Sequence, residues 1–454
     1  MVSARPPKRC MQNWPISSRV PWRRTFRSQG FVTCSTRSGS AFARPFFPPL
    51  VTLWAFIGQV LDPDQSCNRA LARIQAHRAS LGLPLVSTDT GGYCRARQRL
   101  PEALLSTLCF RTGEALRQQA GPADLWFGRR VKVVDGSSAS MPDTPANQAL
   151  YPQPAGQAPG CGFPVVAFVA VFCLATGALL KLAMGAWFLH DLSLFYFVRD
   201  ALAWGDILLA DRAFCSYAEF ALLQLRGVDS VMRLHQRRRT DFRRGRVLGL
   251  QDHIVCWHKP AECPRGLRER DYRRLPDLLA VREVRYRVAV RGFRTRQITL
   301  ATTLLDAETY FPEALAELYF LRWDVELDFR HIKTTMQMDV LRCKTPEMVR
   351  KEIYAHLLAY NLIRTVMWQA ARIGPARARR LSLKGSLQQV LSLCDRLPRG
   401  RRLAEGDGVL LHLVGHQVVP FRPGRVEPRV KKRRPKQYPL MTRPRSELKA
   451  LLTG

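Results

Sequence analysis

The apolar and polar positions between residues 46 and 120 follow the period of short helices. Residues 51–61, with the sequence VTLWAFIGQVL, predict a buried helix. Residues 67–80 predict a second helix, which Asp64-Gln65-Ser66 can cap, and a third runs from residue 93 to residue 101. We therefore expect an N-terminal helical domain over residues 46–120.

After residue 125 the pattern alternates between apolar strands and helices. The runs KVVD, ending on Asp135, and DILLAD, ending on Asp211, are short apolar strands that each finish on an acid. Further strands are predicted at residues 165–175, 178–186 and 228–234, and helices at 192–203 and 216–225. This alternation predicts an α/β core with a central mixed sheet.

Residues 236–303 change character and predict a β-rich insertion. Within this segment Val284, Tyr286, Val288 and Val290 alternate with Arg285, Arg287 and Arg291. Such alternation is typical of a strand with one buried and one basic face.

Two long helices are predicted after the insertion. The first spans residues 313–338. The second begins at Thr345-Pro346-Glu347 and runs to about residue 372, with Thr345 as the cap and proline in the first turn. We expect residues 125–235 and 304–375 to form the core and residues 376–454 to form a C-terminal region.

The apolar stretch from Phe163 to Trp187 raises the alternative of a membrane-spanning helix. Lys181 lies inside it, and Gly177 and Gly185 divide it. A membrane span needs ~20 uninterrupted apolar residues. Two buried strands joined by a turn at Thr176-Gly177 fit the pattern better, and no membrane partner is expected.

Charge adds a partner to this outline. The chain has 71 Lys and Arg against 36 Asp and Glu, a formal net charge of +35. So large a charge repels itself in a compact protein, and a polyanion compensates it. We expect nucleic acid first and an anionic membrane surface second. The 12 cysteines include no C-x-x-C pair, which favours reduced thiols in a cytosolic protein.

Both ends of the chain are basic. Residues 1–61 contain no Asp or Glu, and residues 1–45 show no periodicity. This arm is interpreted as disordered or as non-native sequence, with a transit peptide as the third possibility. Residues 422–445 carry ten Lys and Arg against one acid, Glu427. That composition predicts an extended, phosphate-seeking tail, although a tail that only increases solubility is an alternative.

The helix around Glu326 gathers unusual chemistry on one stripe. Tyr319, Arg322, Glu326 and Lys333 lie at offsets of 0, 3, 7 and 14 residues. At ~100° per residue they share a narrow stripe, while Leu318, Leu321, Val325, Phe329 and Ile332 face the core. A carboxylate can ligate a hard cation, and Arg and Lys can hold phosphates. A solvated helix with ordinary ion pairs is the alternative.

Asp135 and Asp211 complete a candidate metal site. An acid at the end of a strand is fixed at the rim of the sheet, although either residue could be a turn Asp or a helix cap. Together with Glu326 they would form a three-carboxylate site that can hold two Mg²⁺ ions about 3.5–4 Å apart for displacement at phosphorus. Mn²⁺ would fit equally.

These motifs resemble the DDE transposases of the insertion-sequence-four family. Tyr319-x2-Arg322-x3-Glu326-x6-Lys333 matches the family's Y-R-E-K signature. Val134-Asp135-Gly136-Ser137 matches its first-acid motif, and Leu209-Ala210-Asp211-Arg212-Ala213-Phe214 its second. The 115-residue gap between Asp211 and Glu326 matches the family's strand insertion. The resemblance covers about residues 52–445.

The resemblance implies a ribonuclease-H-like catalytic core that cuts DNA at terminal inverted repeats and joins the ends to target DNA with Mg²⁺. It implies that Asp135, Asp211 and Glu326 bind the metal. It also implies that Tyr319, Arg322 and Lys333 contact DNA-end phosphates, and that relatives act as homodimers that synapse two ends. Trp257 is a candidate for sheltering a flipped base in the insertion.

Other DNA contacts follow from the basic pattern. Arg95 and Arg97 on the third helix, and Arg285 and Arg287 on the insertion strand, are candidates. We expect a bacterial cytoplasmic, nucleoid-associated enzyme. Because residues 1–45 depart from the family's helical start, a catalytically inactive DNA-binding remnant is the alternative function.

Overall fold

The computed structural model describes residues 47–80, 82–264, 266–288, 297–394, 403–420 and 440–453. The basic arm at residues 1–45 and most of the basic tail at residues 422–445 lie outside this part of the chain. So do Val290 and Arg291 of the predicted alternating strand.

From residue 47 onwards, the described N-terminal residues form four helices: α1 (Pro49–Leu61), α2 (Cys67–Ala79), α3 (Gly91–Arg99) and α4 (Glu102–Arg117). The first three confirm the sequence prediction, and the Ser66 hydroxyl accepts the Arg69 N–H as the cap of α2. Helix α4 was not predicted. It carries the buried side chains of Leu105, Leu108 and Leu116 and packs against the strand Leu179–Ala186 and the helix Pro346–Ala371 of the core.

Nine strands of the described residues form one sheet; numbered along the chain, they lie in the order β3-β2-β1-β4-β5-β9-β8-β7-β6. The first five strands are β1 (Val131–Ser140), β2 (Val165–Cys173), β3 (Leu179–Ala186), β4 (Ile207–Ala210) and β5 (Asp229–Arg233). Strands β1, β2 and β3 are antiparallel neighbours, whereas β4 and β5 run parallel to β1. This is the ribonuclease-H-like arrangement that was expected.

Strand β1 is longer than predicted. It does not end at Asp135 but continues to Ser140, because it pairs with β2 from Lys132 to Ser140. Its pairing with β4 ends earlier, at Val133. The polar residues that follow Val134 are therefore paired with β2 but not with β4.

The insertion continues the same sheet. Its strands are β6 (Arg246–Gly249), β7 (Asp252–His258), β8 (Leu278–Arg287) and β9 (Gln297–Thr302). Strand β9 pairs antiparallel with β5, which joins the insertion to the core without a break. The predicted alternation holds for the described part of β8, since Val284 is buried while Arg287 is exposed.

Helices cover both faces of this sheet. Short helices α6 (Asp191–Phe195) and α7 (Tyr217–Gln224) lie on one face, where Phe195, Phe214 and Phe220 share a buried cluster. The other face carries α9 (Pro312–Phe320), α10 (Trp323–Arg330) and the long α11 (Pro346–Ala371). The predicted cap is confirmed, because the Thr345 hydroxyl accepts the Met348 N–H. The remaining helices are α5 (Pro145–Leu150), α8 (Glu269–Arg273), α12 (Leu383–Cys394), α13 (Leu403–Gly415) and α14 (Arg445–Thr453).

The helix predicted over residues 313–338 is interrupted. Helix α9 ends at Phe320, α10 begins at Trp323, and a π-helical turn spans His331–Thr335. The turn at 321–322 changes the direction in which side chains point, so Leu321 is 42% exposed rather than core-facing. Similarly, the helix predicted at 192–203 is reduced to α6 and a 3₁₀ turn at Arg199–Ala201.

The apolar stretch 163–187 forms strands β2 and β3. Gly177 lies in the turn between them with a φ of +70°. Among the described residues, no helix combines the length and apolar character that crossing a membrane requires.

Buried His356 makes the stability of the fold sensitive to acid. It lies on α11 with 1% exposure, and burial lowers its pKa to about 3. The unfolded chain takes up this proton near pH 6.5, so stability is lost as pH falls from there towards 3. The cost reaches about 2 kcal/mol at pH 5.

When the pH falls from 7 to 5, the free energy of unfolding of the parent should therefore decrease by about 2 kcal/mol more than that of His356→Leu. Urea unfolding at the two pH values measures this difference. The exposed His258 supplies the control variant His258→Leu, which should keep the parent's pH dependence. An equal loss in His356→Leu would show that this imidazole is not held neutral by burial.

Candidate active site

The parallel register of β1 and β4 brings the first two acids together. Val133 pairs with Leu209, and two residues further along each strand come Asp135 and Asp211. Neighbouring parallel strands lie about 4.8 Å apart, and residues in register point to the same face. Asp135 and Asp211 therefore lie side by side at the edge of the sheet, on the face covered by α9, α10 and α11.

Glu326 reaches this edge from α10, and Arg322 connects it to Asp135. The Arg322 guanidinium lies 2.9 Å from Glu326 Oε1 and 3.6 Å from Asp135 Oδ2. The Arg322 side chain is 9% exposed, whereas that of Glu326 is 43% exposed. One buried cation thus bridges a strand acid and the helix acid, and the helix acid opens to solvent.

Electrostatics confirm that the three carboxyl groups are neighbours. Burial raises the pKa of Asp135 to about 6, although the Gly136 N–H and Arg322 oppose the rise. Asp211 and Glu326 both add to it, because a nearby negative charge disfavours ionisation. Asp135 is therefore a carboxylate whose charge needs a cation beside it.

A fourth acid that sequence analysis missed lies behind this pair. A Cβ atom on Gly136 would lie only 2.6 to 2.7 Å from the carboxylate oxygens of Asp191. Burial, followed by the charge of Asp211, raises the pKa of Asp191. Glycine after Asp135 thus leaves room for Asp191. Nothing in the sequence around Asp191 indicated this approach, since it sits at the start of a short helix.

Tyr319 and Lys333 lie around the same acids. Tyr319 is 4% exposed, and burial raises its pKa well above the usual range. Lys333, in the π-helical turn, places Nζ 3.3 Å from the Ser137 hydroxyl oxygen. The π-helical turn departs from the straight helix that was predicted, and the Lys333 side chain reaches Ser137 in the Asp-Gly-Ser segment of β1.

Arg233 is a second residue that sequence analysis missed. Ala210 pairs with Met232, so the next residues along β4 and β5 are Asp211 and Arg233. Arg233 is half-buried and affects the titration of Tyr319 and Tyr286. It makes no ion pair within the described residues. The strand was predicted, but only its register with β4 reveals that this arginine stands beside Asp211.

Two of the predicted DNA contacts are buried against other side chains. Trp257 is 4% exposed, donates its Nε1–H to Glu283 and carries the Arg238 guanidinium 3.7 Å from its ring centre. Arg97 is 8% exposed and donates to Gln59. Both are packing residues, because the pattern of a basic helix or an isolated indole does not reveal which side faces the core.

The other predicted contacts are accessible to different degrees. Arg95 and Arg287 are exposed, while Arg285 is partly buried and donates to the Thr299 hydroxyl. Arg285 also lies over the Phe242 ring, 4.8 Å from its centre. Arg95 and Arg287 are thus free to reach a polyanion, and Arg285 would have to exchange partners.

The described residues contain no group of three His, Cys, Asp or Glu side chains spaced to hold a metal ion as they stand. The carboxylates of Asp135 and Glu326 are separated by the guanidinium of Arg322. In this arrangement the positive charge of Arg322 offsets the negative charges of Asp135 and Glu326.

Comparisons with known proteins identify the family. Residues 126–362 match the family model described as the transposase DDE domain. The chain is similar to the transposase InsG of insertion sequence element IS4 from Escherichia coli (strain K12), with 27% identity over 418 residues. The match covers 89% of this chain and 90% of that protein.

One shorter similarity points the same way. The transposase of insertion sequence element IS421 from Escherichia coli is 37% identical over 79 residues, covering 17% of this chain and 21% of that protein. A solved structure of the piggyBac transposase synaptic complex with hairpin DNA aligns over 85% of this chain and 81% of that chain. Its TM-score is 0.39 and its identity 9%, values too low to identify a shared fold. The transposase-domain match spans Asp135, Asp211 and Glu326, and the chain belongs to the DDE transposases of the insertion-sequence-four family.

Proposed function

We propose that Asp135, Asp211 and Glu326 bind the divalent metal ions with which this transposase cuts DNA at terminal inverted repeats and joins the ends to target DNA. The observation that carries the proposal is the register that sets Asp135 beside Asp211, with Glu326 linked to them through Arg322. Three carboxylates on two strands and a facing helix supply oxygen ligands from rigid elements.

The donor set fits a hard divalent cation. Carboxylate oxygens suit Mg²⁺ and Mn²⁺ alike, so the choice between them is left to experiment. The position of Arg322 supports the fit, because a cation between Asp135 and Glu326 is what these acids require at neutral pH. Arg322 would turn from the acids towards DNA when metal binds.

Metal ions bound here would neutralise charge at the reacting phosphate and favour ionisation of the attacking hydroxyl. The surrounding residues have separate roles. Arg322 would hold a phosphate oxygen with its fork of donors, and Lys333 would add a point charge beside Ser137. The Tyr319 hydroxyl would orient the same strand, and Arg233 would contribute a further cation next to Asp211.

DNA binding beyond the cut is assigned to two regions. Residues 46–120, with the exposed Arg95, form the domain that binds the DNA end. In the insertion, Arg285 and the exposed Arg287 contact DNA. Because two ends must be joined together, the active form would be a homodimer. Its place of action would be the nucleoid in the bacterial cytoplasm.

Metal removal tests the proposal. The protein is incubated with duplex DNA carrying the inverted repeats that flank its own gene, in Mg²⁺, in Mn²⁺ or in excess EDTA. We expect cutting at the repeat boundary with either metal and none in EDTA, with Glu326→Gln defining the background. Cutting that continues in EDTA would refute the metal site. Metal-independent binding without any cutting would favour an inactive remnant.

A further inference from the structure

A basic cleft lies away from the acids, at the opposite end of β1. It has a volume of about 740 Å³ and is bordered by Arg130 and Val131, by the end of β2, and by the last turn of α11 with the segment that follows it. Asp135 is four residues further along β1, which corresponds to about 13 Å. The cleft is therefore separate from the candidate metal site but close to it.

Unpaired arginines line this cleft. Arg130, Arg372 and Arg377 are exposed and make no ion pair within the described residues. Two acids also line the cleft. Asp324 is paired with Arg379, whose Nη2 lies 3.2 Å from its carboxylate, and the exposed Asp124 accepts the Gly121 N–H. Arginines brought together without acidic partners attract phosphate, which a guanidinium can grip with two parallel hydrogen bonds.

A buried donor without a partner adds a second observation. Trp368 lines the cleft and is 9% exposed, and its indole N–H has no hydrogen-bond partner among the described residues. An unsatisfied buried N–H costs about 1–3 kcal/mol, so such groups are normally paired. The indole nitrogen is itself closed off from the open space of the cleft, so an incoming acceptor oxygen would remove this cost only after the side chain turned.

The floor of the cleft is rigid. Arg379 binds both oxygens of Asp328, at 2.9 and 3.0 Å, in addition to Asp324. Bound side chains on the floor and unpaired arginines at the rim form a preorganised concave surface for an anion.

We propose that this cleft binds the phosphate backbone of a DNA segment beyond the cut. The proposal rests on the proposed function, since it assumes that DNA is cut at Asp135. The 13 Å between Asp135 and the cleft corresponds to about four nucleotides, at 3.4 Å each, along one DNA strand. A free nucleotide shares the same phosphate chemistry. The open rim and several arginines favour a continuous strand.

The test compares duplexes of two lengths bound in EDTA, so that no cutting occurs and the metal site plays no part. One duplex ends about two base pairs beyond the cut and the other extends about twelve, enough to pass the cleft. The variant is Arg372→Ala with Arg377→Ala. The control is Arg111→Ala with Lys384→Ala, which removes the same charge from exposed positions outside the cleft.

We expect the parent and the control to bind the long duplex more tightly than the short one. The cleft variant should lose on the order of tenfold in affinity for the long duplex, with a salt dependence lower by about 1.8 in log–log slope. Its affinity for the short duplex, and its Mg²⁺-dependent cutting of it, should stay within about twofold of the parent. Trp368→Phe, which keeps the aromatic ring and removes the donor, should show a smaller loss in the same direction.

Two outcomes would overturn the proposal. In one, cleft variant and control lose affinity equally for both lengths, which would mean that only net charge matters. In the other, the variant loses binding of deoxyadenosine monophosphate but keeps the length effect, which would make the cleft a small-molecule site. Absence of cutting by the parent protein would instead favour an inactive remnant and leave the binding comparison intact.

Discussion

Asp135→Asn and Asp211→Asn should each lower the rate of strand cleavage by on the order of a thousandfold or more, equal to ~4 kcal/mol of activation free energy. Asparagine keeps the shape of the side chain but removes the charge that a divalent cation needs. Because the two acids stand in register on β1 and β4, loss of either leaves the other with a single carboxylate partner, Glu326. Single-turnover cleavage of a pre-formed complex measures the effect directly.

The DNA affinity of these variants, measured in EDTA, should equal that of the parent or exceed it. Removing a negative charge beside a phosphate chain cannot weaken its binding electrostatically. Asp200→Asn is the matched control, since Asp200 is an exposed acid paired with Lys181 outside the site. It should cleave at the parental rate. A fall of less than about tenfold in either strand variant would remove that residue from the metal site.

Asp191→Asn separates the fourth carboxyl from the other three. Its oxygens lie against Gly136 rather than beside Arg322, and its charge is coupled to that of Asp211. A moderate fall in rate would fit a residue that positions Asp135. A fall equal to that of Asp135→Asn would place Asp191 among the ligands, in the position now assigned to Glu326 or Asp211.

Local pattern explains why the sequence predicted the acids and most of the strands. An apolar run that ends on an acid places that acid where the buried part of a strand stops, which holds for Asp135 within β1 and for Asp211 directly after β4. The spacing of Tyr319, Arg322, Glu326 and Lys333 then predicted which side of a helix faces those acids. These features depend on neighbours in the sequence, so they can be predicted without knowledge of tertiary contacts.

Features that depend on partners distant in sequence were missed. Arg233 became visible only through the pairing of β5 with β4, and Asp191 only through its approach to Gly136. Burial of Trp257 and Arg97 follows from what packs on them, Arg238 in one case and Gln59 in the other. The break between α9 and α10 has no proline or glycine to announce it, since residues 320–323 are Phe, Leu, Arg and Trp.

Asp252→Ala should cost about 3–5 kcal/mol of folding free energy, the largest stability effect expected outside the apolar core. Arg282 is fully buried, and its Nε lies 2.8 Å from Asp252 Oδ1. The same guanidinium donates to the carbonyl of Tyr310, at 2.6 Å, just before α9. Removal of the carboxylate leaves a buried cation without its counter-charge, and urea unfolding would measure the loss.

Two further variants separate the ion pair from the packing. Asp252→Leu combined with Arg282→Met removes both charges, so it should recover most of the stability that Asp252→Ala loses. Glu269→Ala, which breaks an exposed pair with Arg273, should change stability by less than about 1 kcal/mol. If the double variant were as unstable as Asp252→Ala, the bond from Arg282 to Tyr310 would be the dominant contribution. The insertion would then be fastened to α9, and hence to Tyr319, by a backbone contact rather than by charge.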